Sequence, residues 1–310
     1  MAAGTAWVLN LDADLELGAR AHYQPRSSVT HAMRPHVARL AASLLGPNDV
    51  LVDEAALGGA SLPRVGPPPS PMALGLAGRA FCPTPRALRI LARAGAVPEP
   101  HPSVEVLRRV GSRAFASALG PTLPGAAFVT TLQAARAKVE GKPAAGEAWR
   151  IKHAFGMAGR NQRVVAAGPL SERDLGFVQR GLSSGGVQIE PNVAVEQEYA
   201  IHGMLRLDGS LRVGALVRQW CDRSGAWLST ERIPEQEALG TVRDRMATEV
   251  CRVAHALFHA GYFGPFGIDA YEYRDAHGAL LLQPRSEVNA RYTMGFAVGF
   301  NPAARAAPPA

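Results

Sequence analysis

The sequence predicts a mixed α/β chain of three lobes, and three stretches carry that prediction. Trp7–Leu11, His31–Leu45 and Val50–Val52 read as strand, helix and strand, an order that builds a small α/β lobe on a parallel sheet. In the middle, the strand Trp149–Lys152 carries a lysine into the glycine-containing loop Phe155–Arg163. Near the C-terminus, Gly267-Ile268-Asp269-Ala270-Tyr271, a hairpin signal at Asp275–Gly278, and Ser286-Glu287-Val288-Asn289-Ala290-Arg291 put carboxylates, an amide and an arginine on adjoining strands.

The elements follow in chain order. Trp7–Leu11 is a buried strand ending in Asp12 and Asp14, and Val50–Val52 a second ending at Asp53. The prolines of Leu62–Pro69 make that stretch a loop, and Leu57–Pro71 carries no readable chemistry. Thr84 and Pro85 form the cap and first position of a helix to Ala94. A second lobe opens near Pro102, with one helix over Val104–Leu119, a strand at Ala126–Val129 and a helix capped by Thr130 or Thr131. The loop Gly141–Gly146, the lysine strand and Val187–Glu190 complete it. The third lobe has strands at Glu198–Leu205 and Leu211–Gln219, joined by an Asp208-Gly209 turn. A helix over Val242–Ala260 and the carboxylate hairpin follow. The lobes are expected at residues 1–100, 101–188 and 189–302, with 303–310 a disordered Ala/Pro tail.

A chain of 310 residues with 47% hydrophobic content can bury a sizeable core. Its net charge of +7 comes almost wholly from arginine, with lysine only at Lys138, Lys142 and Lys152. No basic run of five occurs and acids are interleaved throughout, so the charge fits an acidic small molecule or a nucleotide better than nucleic acid. Cys82, Cys221 and Cys251 lie too far apart for a zinc motif or a disulfide framework. The N-terminus lacks a basic leader, and no apolar run approaches the about 18 residues of a membrane span. A cytoplasmic protein with no membrane partner is expected.

Alternate strand residues share a face, so Glu287, Asn289 and Arg291 can enter one cleft that Asp269 reaches from the neighbouring strand. Two carboxylates and an amide oxygen suit Mg²⁺, and an arginine beside them offers a fork to a phosphoryl group. Lys152 at its strand end can reach a phosphate as a point charge, while Gly156 and Gly159 let backbone N–H groups fold over it. The strand Gln188–Glu190 leaving into Pro191, Asn192 and Val193 suits a hinge reading an adenine edge, with a carboxylate following for the ribose. Arg218, ending its strand, faces either phosphate or substrate carboxylate, or solvent. His153 reads as an exposed flap residue, and His202, His255 and His259 as surface or packing positions. Tyr292–Gly295 either lines an acceptor pocket or makes a turn.

In this order the pieces resemble the ATP-grasp superfamily, and within it D-alanine–D-alanine ligase-like carboxylate–amine ligases, over roughly Pro102–Phe300. The resemblance implies an N-terminal pre-ATP-grasp α/β lobe and two α+β lobes clasping the nucleotide. It assigns Lys152 to the strand before the flap, Glu190 and Val193 to the adenine hinge, and Glu196 to the ribose, with Glu198 the rival. Asp269, Glu287 and Asn289 become the Mg²⁺ (or Mn²⁺) ligands. Arg291, Arg218 and Lys152 become catalytic cations, and Arg113 stands where the family has its first lysine. Gln283 is the substitute if Glu287 does not face the cleft.

The chemistry so implied is an ATP-dependent ligation of a carboxylate to an amine or thiol through an acylphosphate. The other partner is then an acidic or amino-acid-like small molecule or peptide. A small-molecule kinase and a non-catalytic nucleotide-binding regulator share the same clasp. Oligomeric state stays open, with a homodimer the first option.

Overall fold

The computed structural model describes residues 4–19, 23–53, 73–120, 122–157, 159–222, 225–234, 237 and 239–300. The loop expected over Leu62–Pro69 and the tail 303–310 lie outside the described residues.

The first lobe orders β1 (Thr5–Val8), α1 (Ala13–Leu17), α2 (Ser27–Leu44), β2 (Val50–Leu51), β3 (Ala77–Ala80), α3 (Pro85–Arg93) and β4 (Val97–Pro98). The four strands form a wholly parallel sheet in the order β2-β1-β3-β4, as the strand–helix–strand pattern requires. Thr84 caps α3 as expected, its hydroxyl accepting from the Ala87 amide. β1 ends at Val8 rather than Leu11, and the buried chain after it turns into α1, whose first turn holds Asp14. β3 and β4 escape a sequence reading because both are short and rich in alanine, glycine and proline.

The next segment contains α4 (Val104–Val110), α5 (Arg113–Ala118), β5 (Ala127–Val129), α6 (Leu132–Glu140), β6 (Ala148–His153), β7 (Gln162–Ala166), α7 (Glu172–Ser183) and β8 (Val187–Pro191). The single helix expected over Val104–Leu119 breaks at Gly111, because Ser112 caps a fresh helix by accepting from the Ala114 amide at 3.2 Å. That break puts Arg113 at the first position of α5. The sheet is antiparallel with order β5-β8-β6-β7. α7 and α6 cover one face of it, closing a core around Trp149, Ile151, Val178 and Ile189.

The last segment comprises β9 (Val195–Leu205), β10 (Leu211–Val213), β11 (Val217–Cys221), β12 (Trp227–Arg232), α8 (Gly240–His259), β13 (Gly264–Arg274), β14 (Leu280–Asn289) and α9 (Phe296–Phe300). Its main sheet runs β12-β11-β9-β13-β14, with β10 beside β9. The strand expected over Leu211–Gln219 divides at Gly214, where the Gly214 amide donates to His202 and the Ala215 amide to Gly299. α8 buries Val242, Met246, Val250, Val253 and Leu257, spaced three or four apart, as one stripe. Each such side chain contributes about 1.5–3 kcal/mol by leaving water.

One apolar cluster joins Trp7 and Leu11 of the first lobe, Leu107 of α4, and Ile201, Phe266, Ile268 and Val288 of the six-stranded sheet. The parallel sheet is therefore fixed to the large sheet by shared core, while the central antiparallel sheet keeps a core of its own. Among the described residues no helix is long and apolar enough to cross a membrane.

Candidate functional site

A cleft of about 630 Å³ opens between the central sheet and the large sheet. Asp269 of β13 and Glu287 of β14 are cross-strand partners in register, so their carboxylates share one face at its floor. Asn289, two residues on, lies on that face and donates Nδ2 to Asp269 Oδ2 at 2.8 Å. Gln219 of β11 donates to the other oxygen, Oδ1, at 2.9 Å. Burial first, then the charge of Glu287, push the Asp269 carboxyl up to about 6 against the pull of these two amides. Gln283 does not enter the cleft; it is buried and donates to the Arg285 carbonyl at 2.7 Å, so Glu287 keeps the cleft position.

Arg113, placed by the new helix start, inserts its guanidinium between the two sheets. Nη1 donates to the His153 carbonyl at 2.8 Å and Nη2 to Glu287 Oε1 at 2.6 Å. Lys152 on β6 reaches Glu190 Oε1 on β8 at 2.6 Å, and Gln188 donates to Glu190 Oε2 at 2.7 Å. Both Glu190 oxygens are thereby held and its charge is matched by the lysine. Arg150, which the sequence did not single out, also lines this wall and donates to Asn192 Oδ1 at 2.8 Å. Val193 and, on β9 of the large sheet, Glu196 and Glu198 also line the cleft. Glu196 is tied to Arg274 at 3.0 Å on an exposed rim. Glu198 lies beside Cys221, whose thiol is pushed up by burial and then by that carboxylate.

The flap between β6 and β7 carries Gly156 and Gly159, both on the cleft. Asn161 turns the chain with φ +59°, and its carbonyl accepts from the His153 amide at 2.9 Å. Across the cleft, Gly225 sits where a β-carbon would lie 3.1 Å from Gln162 Nε2 and 3.8 Å from Gly159 Cα. The flap and the β11–β12 turn thus meet over the cleft.

Three expectations are corrected. Arg218 is not on the cleft: it pairs with Glu237 at 2.5 Å, because Gln219 takes the cleft face and successive strand residues point oppositely. His153 is buried, not exposed; its ring packs on Phe177 with Nε2 3.0 Å from the Phe177 carbonyl, and burial lowers its pKa. Arg291 lines the cleft, but all three of its nitrogens donate within the protein. Nε and Nη2 bind Asp14, Nη2 at 2.6 Å, and Nη1 binds the Tyr292 carbonyl at 3.0 Å. Its guanidinium also lies 5.0 Å over the Phe81 ring. The arginine therefore clamps the end of β14 to α1 instead of presenting a free fork.

Of the open choices, Thr293 and Met294 line the cleft. Gln219 is, besides Arg150, a functional candidate that sequence reasoning missed. The only signal for it was its place one residue after Arg218 at the same strand end. Among the described residues no group of three or more His, Cys, Asp or Glu gathers, so a zinc-type cluster is not built here.

No protein-family model matches this chain, and no curated protein matches it in sequence. Solved structures do. The D-alanyl-alanine synthetase A of Vibrio cholerae O1 aligns with TM-score 0.54 at 12% identity, covering 98% of this chain and 93% of that one. N5-carboxyaminoimidazole synthetase of Staphylococcus aureus, complexed with ADP, aligns with TM-score 0.50 at 11% identity over 94% of this chain and 71% of that one. Carboxyaminoimidazole ribonucleotide synthase of Aspergillus clavatus, complexed with ATP, gives TM-score 0.50, 14% identity and the same 94% and 71% coverage. Identities this low speak to architecture alone. The parallel N-terminal sheet, the central antiparallel sheet and the large sheet all fall within these alignments, and the chain has the ATP-grasp fold.

Proposed function

We propose that this chain is an ATP- and Mg²⁺-dependent ligase that joins a carboxylate to an amine, or to a thiol, through an acylphosphate. The observation that carries the reading is one cleft in which Asp269, Glu287 and Asn289 face the Arg113 and Lys152 cations beneath a glycine flap. Two of the structurally similar proteins carry ADP or ATP. The lobes divide near residue 100 and after Pro191, three residues beyond the boundary at 188 that the sequence suggested, because β8 keeps Ile189, Glu190 and Pro191 in the flap-bearing sheet.

The donor set fits a hard divalent cation: two adjoining carboxylates and an amide oxygen suit Mg²⁺ or Mn²⁺. When bound, the ion would neutralise charge on the nucleotide phosphates. Lys152 and Arg113 supply further positive charge to the phosphates, and Glu190 and Val193 hold the adenine at the hinge. Glu196 or Glu198 accepts from the ribose hydroxyls. A substrate carboxylate oxygen attacks the γ-phosphorus, the bond to the β–γ bridging oxygen breaks, and ADP departs. The amine nitrogen then attacks the acyl carbon. The carbon–oxygen bond to phosphate breaks, inorganic phosphate leaves and the ammonium proton passes to solvent. The protein's part is positioning and fixed charge. The flap meeting the β11–β12 turn keeps water from the acylphosphate. Arg291 acts by fixing Asp14 and the end of β14. A cytoplasmic, homodimeric enzyme acting on an acidic or amino-acid-like molecule completes the reading.

The Arg113–Glu287 pair favours one second reading, a nucleotide-binding regulator without turnover, because that arginine occupies an oxygen of a metal ligand. A thermal shift with ATP, ADP, GTP and AMP, each with and without Mg²⁺, tests the shared nucleotide site. Ligand at 100 times Kd stabilises by about 2.7 kcal/mol, which raises Tm visibly. A Mg²⁺-dependent shift is expected with ATP and ADP; no shift with any nucleotide overturns the reading. Phosphate release that needs an added amine marks the ligase, a stable phosphorylated product marks a kinase, and binding without turnover marks the regulator.

A further inference from the structure

We propose that the end of the cleft walled by Leu11, Met33, His36, Phe81, Trp227 and Met294 is a subsite for the apolar body of a carboxylic acid whose far end carries neither a phosphate nor an ammonium group. The inference rests on the ligase reading and names its substrate class.

Position comes first. Leu11 and Phe81 follow the carboxyl ends of the parallel strands β1 and β3, where open α/β sheets place their ligands. Met33 and His36 stand three apart on α2 and share one helix face. Trp227 opens β12 and Met294 follows β14, so five separate segments converge on this wall.

The chemistry of the wall is apolar. Trp227 spends its indole N–H on Thr230 Oγ1 at 2.7 Å, leaving ring surface to the cleft. The His36 ring meets Trp227 edge to face, with centroids 6.3 Å apart. Burial, and then Arg39, lower the His36 pKa, so the ring is neutral at pH 7. Two methionines give a surface that adapts to a ligand's shape.

Of the ionic groups around this wall, Arg39 donates to the Leu228 carbonyl at 3.5 Å in an exposed position, and the acids beside Leu11 and Phe81 are matched within the protein. Asp12 pairs with Arg86 at 2.5 Å, and Asp14 with Arg291 at 2.6 Å. Glu16 accepts from the Thr84 hydroxyl at 2.6 Å and from the Arg86 amide at 2.8 Å. None of the six wall residues offers a formal charge at pH 7. An ammonium or phosphate group on the far end of the ligand would meet no charged partner among the six wall residues. An aliphatic or aromatic body fits, with its carboxylate directed to the Asp269–Glu287 floor.

The test uses the full chain with Mg²⁺·ATP and hydroxylamine as the amine, so that an acylphosphate is trapped as a hydroxamate. 3-Phenylpropionate and hexanoate are compared with 6-aminohexanoate and 3-phosphoglycerate, and saturable binding of 3-phenylpropionate is followed by tryptophan fluorescence with Mg²⁺·ADP present. The two apolar acids are expected to bind and to form hydroxamate, the others not. Trp227→Ala and Met33→Glu should each raise the half-saturating 3-phenylpropionate concentration about tenfold or more, a change of about 1.4 kcal/mol. The Mg²⁺·ADP thermal shift should persist in both variants, which controls for folding. Preference for the 6-amino or the phosphorylated acid, or no binding and no turnover with the apolar acids, overturns the subsite while a nucleotide shift leaves the ligase reading standing. Loss of the nucleotide shift in the wild-type chain overturns both.

Discussion

Arg113 holds Glu287 by an ion pair of 2.6 Å across 174 positions of sequence. The same guanidinium donates to the His153 carbonyl at 2.8 Å, so one side chain ties the metal-ligand strand to the base of the flap. Lysine is a point charge on a flexible stem and cannot make both bonds in this fixed fork.

A graded loss should follow at this position. Arg113→Met removes a fixed cation from the phosphate site and is expected to lower kcat/KM for ATP about 10²–10³-fold. Arg113→Lys keeps the charge but only one of the two contacts, and should fall between that variant and wild type. Steady-state phosphate release at saturating amine measures both. An Arg113→Met protein with wild-type turnover would remove the residue from the phosphoryl site.

Gly156 is glycine because Arg113 lies beside it. A β-carbon there would stand 2.9 Å from Arg113 Nη1 and 2.9 Å from the Arg160 carbonyl oxygen. Gly156→Ala should therefore push the guanidinium off Glu287 and raise KM for ATP. In an Arg113→Met background the share due to the guanidinium should vanish while that from the Arg160 carbonyl persists, since residues in contact are not additive. Equal losses in both backgrounds would show that the alanine acts on the flap backbone instead.

Local rules made much of this arrangement legible. Thr84 caps its helix where the sequence put it, and Thr131 takes the cap that the sequence left open between Thr130 and Thr131. The hairpin that carries Asp269, Glu287 and Asn289 is in the register its alternation demands. What stayed hidden depends on partners far away in sequence. Nothing near Arg291 announces that Asp14 will hold it, and nothing near Lys152 separates an exposed His153 from one packed on Phe177. The choice between Arg218 and Gln219 is a one-residue question of strand phase. A break at Gly214 resets that phase, and the break exists because α9 supplies the Gly299 carbonyl to Ala215. Short apolar-poor strands such as β3 and β4 carry too few side chains to show a period at all.

Gln219 supports the metal-ligand pair from a neighbouring strand, donating to Asp269 Oδ1 at 2.9 Å. Partners that orient a ligand from behind commonly contribute about 10–100-fold in metal affinity. Gln219→Leu should raise the Mn²⁺ concentration for half-maximal turnover by about that factor, with the ATP requirement at saturating metal little changed. Arg218→Leu, which breaks only the pair with Glu237, should leave the metal dependence where it was. The reverse pattern would return Arg218 to the cleft.

His202 should give this protein a characteristic weakness in acid. Its ring is 1% exposed, and Nδ1 has no hydrogen-bond partner. It sits in a cradle where β-carbons on Gly267, Gly295 and Gly299 would lie 3.2, 3.2 and 2.8 Å from ring atoms. Burial alone pushes its pKa from 6.5 down to about 3, with no charged group contributing. Unfolded, the same ring takes a proton near pH 6.5, so between about pH 6.5 and 3 the unfolded chain binds one proton more than the folded chain. Stability therefore falls as pH falls through that window, by about 1.4 kcal/mol per pH unit from this residue, and is insensitive to it above the window. His202→Leu deletes the proton-binding group. Urea unfolding at pH 7, 5.5 and 4.5 should show wild type losing stability more steeply than the variant, whatever their order at pH 7. Parallel losses would mean that the ring is protonated or hydrated inside the fold, and that acid sensitivity resides elsewhere.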